Sequence, residues 1–140
     1  MKLDSSAFVA DKHLLDALEK CSSPIVCRQN LELFVQDAPP IGVFILRQGQ
    51  VHLNMASQTG EIVLRIAALP GSVLGLPGVM SNQPYSLTAR ASRGARLGFV
   101  TREDFSRMLL ETPELSMHVL RILAAEVRAV RSVLAGQNFC

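Results

Sequence analysis

The residues best suited to binding chemistry lie in one stretch, PGSVLGLPGVMSNQPYSLTARA, residues 70–91. A glycine-bounded turn leads into a short segment holding Pro77 and Gly78, and Pro84 and Tyr85 then precede an alternating run. The pattern reads like a socket shaped for an anion, yet no cationic side chain occurs in it before Arg90. Other chemistries find less support. His13, His52 and His118 fall on three separate segments with no His-x-x-x-His pair, so neither a metal centre nor a haem ligand is expected. Cys21, Cys27 and Cys140 are odd in number and lack metal-ligand spacing, which makes free thiols the expectation. No Gly-x-Ser-x-Gly, phosphate-loop or paired-carboxylate motif occurs, so no catalysis is expected.

The chain that must position this stretch has 140 residues, of which 49% are hydrophobic and 19% charged. That composition suits one compact domain over residues 1–140. The net charge of +2 falls short of the dense basic face of a dedicated nucleic-acid binder. The first residues, MKLDSSAFVADKH, carry no apolar signal core. The longest apolar run, GSVLGLPGVM, is too short and too interrupted to span a bilayer. A cytoplasmic protein without membrane contact is expected.

Leu14, Leu15 and Leu18 recur at helical spacing behind Asp11, predicting a short helix over 10–20 with Asp11 as its N-cap. From Pro24 the period changes to short β-type runs: IVCR, LELFV, VFIL, VHLNM, EIVLRIA, SVL, LTARA and ARLGFV. In VHLNM the apolar Val51, Leu53 and Met55 alternate with His52 and Asn54, as in a half-buried strand. The short ASQTG loop that follows predicts a hairpin with EIVLRIA. Eight such runs predict an antiparallel sandwich or jelly roll.

Past Val100 the helical period returns. Thr101 is a candidate N-cap with Asp104 three positions on, and Phe105, Met108 and Leu109 share one side. Pro113 begins a long helix to about Ala135, with Gly136 as its stop. Two apolar stripes run along it. Leu120, Leu123, Val127, Val130 and Leu134 form one, and Ile122, Ala129 and Val133 the other. A helix apolar over so much of its circumference needs two partners, and those expected are its own β-domain and the same helix of a second subunit. A single helix deep in a monomer core is the alternative. Arg121, Arg128 and Arg131 predict a solvated face, or salt links to Glu126 and a partner chain, rather than a nucleic-acid surface.

This order of elements, and the residues in it, resemble the cyclic-nucleotide-binding domain of the catabolite-activator (Crp/Fnr) regulators. LFVQDAPPIGVFILRQGQVHL (33–53) is similar to that family's opening hairpin, with Gly49 at the turn. EIVLRIAALPGSVLGL (61–76) resembles the strand into its phosphate-binding cassette, and RLGFVTREDFSRMLLETPELSMHVLRILA (96–124) resembles the run into its dimer helix. The fold implied is mainly β with flanking helices: a helix plus double-stranded β-helix (jelly roll) over 8–112, then a dimer helix over 113–136. The resemblance also implies a cassette in which Gly75 ends a strand and Pro77 and Gly78 begin a short helix whose amides meet the ligand phosphate.

Two side chains of that cassette are replaced here. The glutamate that accepts from the ribose hydroxyl corresponds to Leu76, and the arginine that pairs with the phosphate corresponds to Tyr85; Ser86 and Thr88 remain as hydroxyl donors. Val130 and Arg131 stand at the helix positions that meet the adenine, and Asp37 and Ala38 replace the usual Gly-Asp. Losing the ribose contact costs roughly 1 kcal/mol and the charged phosphate contact roughly 1.5–3 kcal/mol. Together these amount to about two to three decades of affinity. The usual cyclic AMP mode is therefore not expected. Either the socket holds another ligand, with Tyr85 contributing, or Leu76 and Tyr85 fill it as core.

The functional expectation is a homodimeric, non-catalytic regulatory sensor linked to transcription regulation or signalling, with a degenerate nucleotide pocket and an effector the sequence does not identify. The alternatives are a genuine cyclic-nucleotide binder with altered contacts, and a ligand-free dimerisation module. The helix-turn-helix that follows the dimer helix in most relatives is missing, so no direct DNA binding is expected of these residues. The chain either stands alone or is part of a longer regulator.

Overall fold

The computed structural model describes residues 3–136; the free thiol expected at Cys140 lies outside them. A 3₁₀ turn, Ser5–Phe8, leads to helix α1, Lys12–Lys20. Strands β1 Ser23–Val26, β2 Leu31–Phe34, β3 Gly42–Gln48, β4 Val51–Ala56, β5 Ile62–Ala68 and β6 Val73–Leu74 follow. Helix α2, Leu76–Ser81, separates β6 from β7 Thr88–Ala91 and β8 Arg96–Thr101. Helices α3, Arg102–Glu111, and α4, Leu115–Ala135, complete the described chain. All eight β-type runs of the sequence are strands, forming two four-stranded antiparallel sheets ordered β1-β8-β3-β6 and β2-β7-β4-β5.

The caps act where the sequence places them. The Asp11 carboxylate accepts from the Leu14 amide at 3.1 Å, and the Thr101 hydroxyl accepts from the Asp104 amide at 3.1 Å. Each satisfies one of the amides that the first helical turn leaves unpaired. β4 and β5 form the expected hairpin, pairing from Val51↔Ala68 to Ala56↔Ile62.

The run 33–53 is not a hairpin, however. β3 pairs with β6 and β8 in one sheet, whereas β4 pairs with β5 and β7 in the other. Gly49 does make the turn between them, at φ +91°, and a Cβ there would lie 2.6 Å from Ala95 Cα. Only glycine meets both conditions. The turn thus passes the chain between sheets.

β3 is buried on both faces. Phe44 and Leu46 point into a core shared by the two sheets, while Val43 and Ile45 point outward to a second core. That second core contains Leu14 and Leu18 of α1, Phe105 of α3 and the first turns of α4 through Leu115, Val119 and Ile122. Further along, α4 leaves it and joins the inter-sheet core through Ala129, with Ala125 and Val133 packed beside it. This assigns the two apolar stripes. Ile122, Ala129 and Val133 meet the β-domain, as does Leu123 in part. Leu120, Val127 and Leu134 stay 54%, 51% and 47% exposed, and Val130 lies beside them. Among the described residues, no helix is long and apolar enough to cross a membrane.

Candidate functional site

The 75–88 segment lies between the sheets and α4. Gly75 caps α2 in the left-handed conformation, φ +93°, and a Cβ there would lie 3.0 Å from the Tyr85 ring and 3.2 Å from the Gly42 carbonyl. Glycine is thus required both by the turn and by the ring that presses against it. The Tyr85 ring stacks on Phe34, with centroids 4.2 Å apart and planes 20° from parallel. Its hydroxyl accepts from the Ile41 and Gly42 amides, at 2.9 and 3.1 Å, and donates to the Gly42 carbonyl at 2.7 Å. A phenol has one proton and two lone pairs. All of its hydrogen-bonding capacity is occupied by the protein, and the side chain is only 2% exposed.

Two backbone bonds hold the same residue in place: the Tyr85 amide donates to Ala38 O at 3.0 Å, and the Asp37 amide donates to Tyr85 O at 2.8 Å. Asp37 has φ +73°, the left-handed region usually left to glycine or to Asn and Asp. The loop thus keeps a left-handed residue at the point where the family's Gly-Asp was expected and not found.

The other expected site residues divide. Leu76 is fully buried, but in the core with α1, α3 and the base of α4, so it faces away from the socket. The expectation that it stands where a ribose hydroxyl would sit is corrected: Pro77, next along the short helix, lines the cavity instead. Thr88 is buried and lines neither part of the cavity, and its Oγ1 accepts from the Gln36 backbone amide at 2.9 Å. Ser86 does line the cavity, as do Gly75, Gly78 and, farther out, Val130 and Arg131.

The inner end of the socket, enclosed by Phe8, Phe34, Leu74, Gly75 and Tyr85, has a volume of about 20 Å³. That is room for about one water molecule. Outside it a groove of about 280 Å³ runs along α4, walled by Leu3, Phe8, Met55, Leu64, Leu87 and Val127. Its polar side chains are Ser86, Glu126 and Arg131.

Glu126 lies between groove and inner socket. The salt links expected from it to neighbouring arginines do not form. Among the described residues Oε2 is buried without a hydrogen-bond partner, and burial pushes the carboxyl up to about 8. Its place in a run of helical arginines reads as surface charge, and only the packing of α4 turns it inward.

A second grouping joins residues distant in sequence. His118, near the start of α4, bonds Asp11 at the cap of α1, and the His13 ring lies 5.6 Å from the His118 ring. The three histidines lie on three separate elements, as expected, but the fold brings His13 and His118 together. Burial tends to raise the Asp11 carboxyl, yet the Leu14 amide and His118 together hold it below its usual value. No group of three metal-ligating side chains suited to a metal ion occurs among the described residues. Cys21 is half-buried and Cys27 buried, both free thiols, with burial pushing each of them up.

Two outcomes follow from this geometry. Tyr85→Phe keeps the ring but leaves two amides and a carbonyl without their partner. It should lower the urea-unfolding free energy by about 1–3 kcal/mol; an unchanged midpoint would refute the bonding described. For Glu126, the folded carboxyl titrates near 8 and the unfolded one near 4.5. Between those values the folded state keeps a proton that the unfolded state has released, so stability falls as pH rises, by up to roughly 1.4 kcal/mol per unit. Glu126→Gln should therefore melt close to the parent near pH 5 and several degrees above it at pH 8. Parallel melting profiles would show that the carboxyl is solvated.

Comparison with known proteins agrees with this architecture. The family model "Cyclic nucleotide-binding domain" matches residues 25–112. The HTH-type transcriptional regulator Cmr of Mycobacterium tuberculosis is 30% identical over 104 residues, which cover 74% of this chain and 42% of Cmr. The catabolite activator protein of Thermus thermophilus superposes with a TM-score of 0.77 at 18% identity, over 89% of this chain and 59% of that one. The sensor domain of the transcriptional regulator DNR from Pseudomonas aeruginosa gives 0.63 at 17% identity, over 92% and 85%. The chain thus spans less than two thirds of Cmr and of the Thermus activator. It belongs to the cyclic nucleotide-binding domain family and is related to the Crp/Fnr transcriptional regulators.

Proposed function

We propose that this chain is the non-catalytic sensor domain of a Crp/Fnr-type regulator whose cyclic-nucleotide socket is closed by its own side chains. One observation carries the reading: Tyr85 takes the position expected of the phosphate-binding arginine, yet its hydroxyl is bonded to the start of β3. The two sheets are then the halves of a double-stranded β-helix. Leu120, Leu123, Val127, Val130 and Leu134 form the seam of a homodimer, in keeping with the exposure of most of that stripe. An effector other than a cyclic nucleotide shifts the population of α4 arrangements, and the regulator reads that shift out in the cytoplasm as a change in transcription.

The test is a thermal-shift titration with cyclic AMP, cyclic GMP and cyclic dinucleotides up to millimolar. A ligand at 100 times its dissociation constant adds about 2.7 kcal/mol, a shift of several degrees. No shift is expected with any of them, and a micromolar response to cyclic AMP would overturn the closed socket. The dimer is tested separately by sedimentation. The parent should sediment as a dimer, and Val127→Glu, which places a charge in the seam, should weaken association about a hundredfold or more. A parent that stays monomeric at tens of micromolar removes α4 as the dimer helix.

A further inference from the structure

Glu126 is a half-buried acid whose Oε2 is buried without a hydrogen-bond partner among the described residues, and it borders an apolar groove of about 280 Å³. Buried polar atoms are nearly always hydrogen-bonded, so an orphan beside a cavity marks a position for an absent partner. We propose that this groove binds a compact apolar molecule bearing a neutral hydrogen-bond acceptor, such as a ketone carbonyl, with the Glu126 carboxyl donating to it. The proposal rests on the sensor reading and names the class of effector that the site takes.

Three observations favour a neutral acceptor over an ion. The inner socket, where a phosphate would be expected to enter, has a volume of only about 20 Å³. The groove walls are aliphatic and aromatic, apart from Ser86, Glu126 and Arg131. A carboxyl raised to about 8 by burial is mostly protonated at neutral pH, and therefore a donor. Across the two cavities the other charged or titratable groups are Arg131, on the groove's α4 side, and Tyr85, whose hydroxyl is already bonded. Arg128 and Asp4 line the neighbouring face of α4. Val127 and Val130 belong both to the groove and to the exposed stripe, so an occupant would touch the surface a second copy would use.

The experiment compares 2-nonanone, nonylamine and nonanoate, which share a tail and differ in head group, with cyclic AMP alongside. Binding is read by calorimetry at pH 6.5 and 9.5. 2-Nonanone should bind best at pH 6.5 and weaken about tenfold or more at pH 9.5, as the carboxyl ionises. Glu126→Gln, which retains a donor, should bind the ketone equally at both pH values. Glu126→Leu, which suits the apolar surroundings and should fold, should bind it about tenfold more weakly. A preference for nonylamine or nonanoate overturns the ligand class and leaves the sensor reading intact. Binding of cyclic AMP alone overturns both the ligand class and the closed socket. No binding by any compound overturns the ligand class and removes support for small-molecule sensing. Binding seen only in a Leu120→Glu variant, which charges the exposed stripe at a residue outside the groove wall, shows that a second copy fills the groove, and likewise overturns the proposal.

Discussion

Three hydrogen bonds to a single phenol hydroxyl set the form of the binding region. Tyr85 reaches across from the loop after α2 to the first residues of β3 and satisfies both amides and a carbonyl there. Those backbone groups lie where the chain enters the strand that is buried on both faces. Left unpaired in a buried setting, each would cost a large fraction of a small domain's stability. Several other features accommodate this contact. Gly75 has no side chain that could clash with the ring, Phe34 covers its face, and Asp37 adopts a left-handed turn that lets its amide meet the Tyr85 carbonyl. A side chain at the inner end of the cavity is thus part of the frame.

The consequence for binding is a division of the cavity. Its deep end is closed by aromatic rings and its shallow end stays open along α4. Glu126 stands at the boundary, the one acidic side chain among the described residues lining either part. Its burial is costly in an apolar site. Stability alone would favour a leucine or methionine at that position.

Much of this was legible in the sequence, for local reasons. Alternation in VHLNM, the Asp11 and Thr101 caps and the two helical stripes each depend on near neighbours, and each matches the structure. The misreadings involve direction or distance. Gly49 marks a turn, but period and turn chemistry do not say which sheet the next strand joins. Leu76 occupies a position that resembles a ligand contact, yet in a six-residue helix each step turns the side chain by about 100°, so Pro77 faces the cavity and Leu76 the core. Glu126 sits among arginines in sequence and is turned inward by packing alone. The contact between Asp11 and His118 spans 107 residues and leaves no local signal.

That contact has a mechanical meaning. With His118 bonded to α1, and Leu115, Val119 and Ile122 embedded in the core, the root of α4 is anchored like the fixed end of a lever. The helix beyond, from His118 to Ala135, is an arm of about 25 Å. Although Ala129 and Val133 rest against the inter-sheet core, a tilt of about 10° about its root would carry Ala135 roughly 4 Å, more than half the rise of a helical turn. Displacements too small to reshape the groove at Glu126, about halfway along, would thus be roughly doubled at the tip.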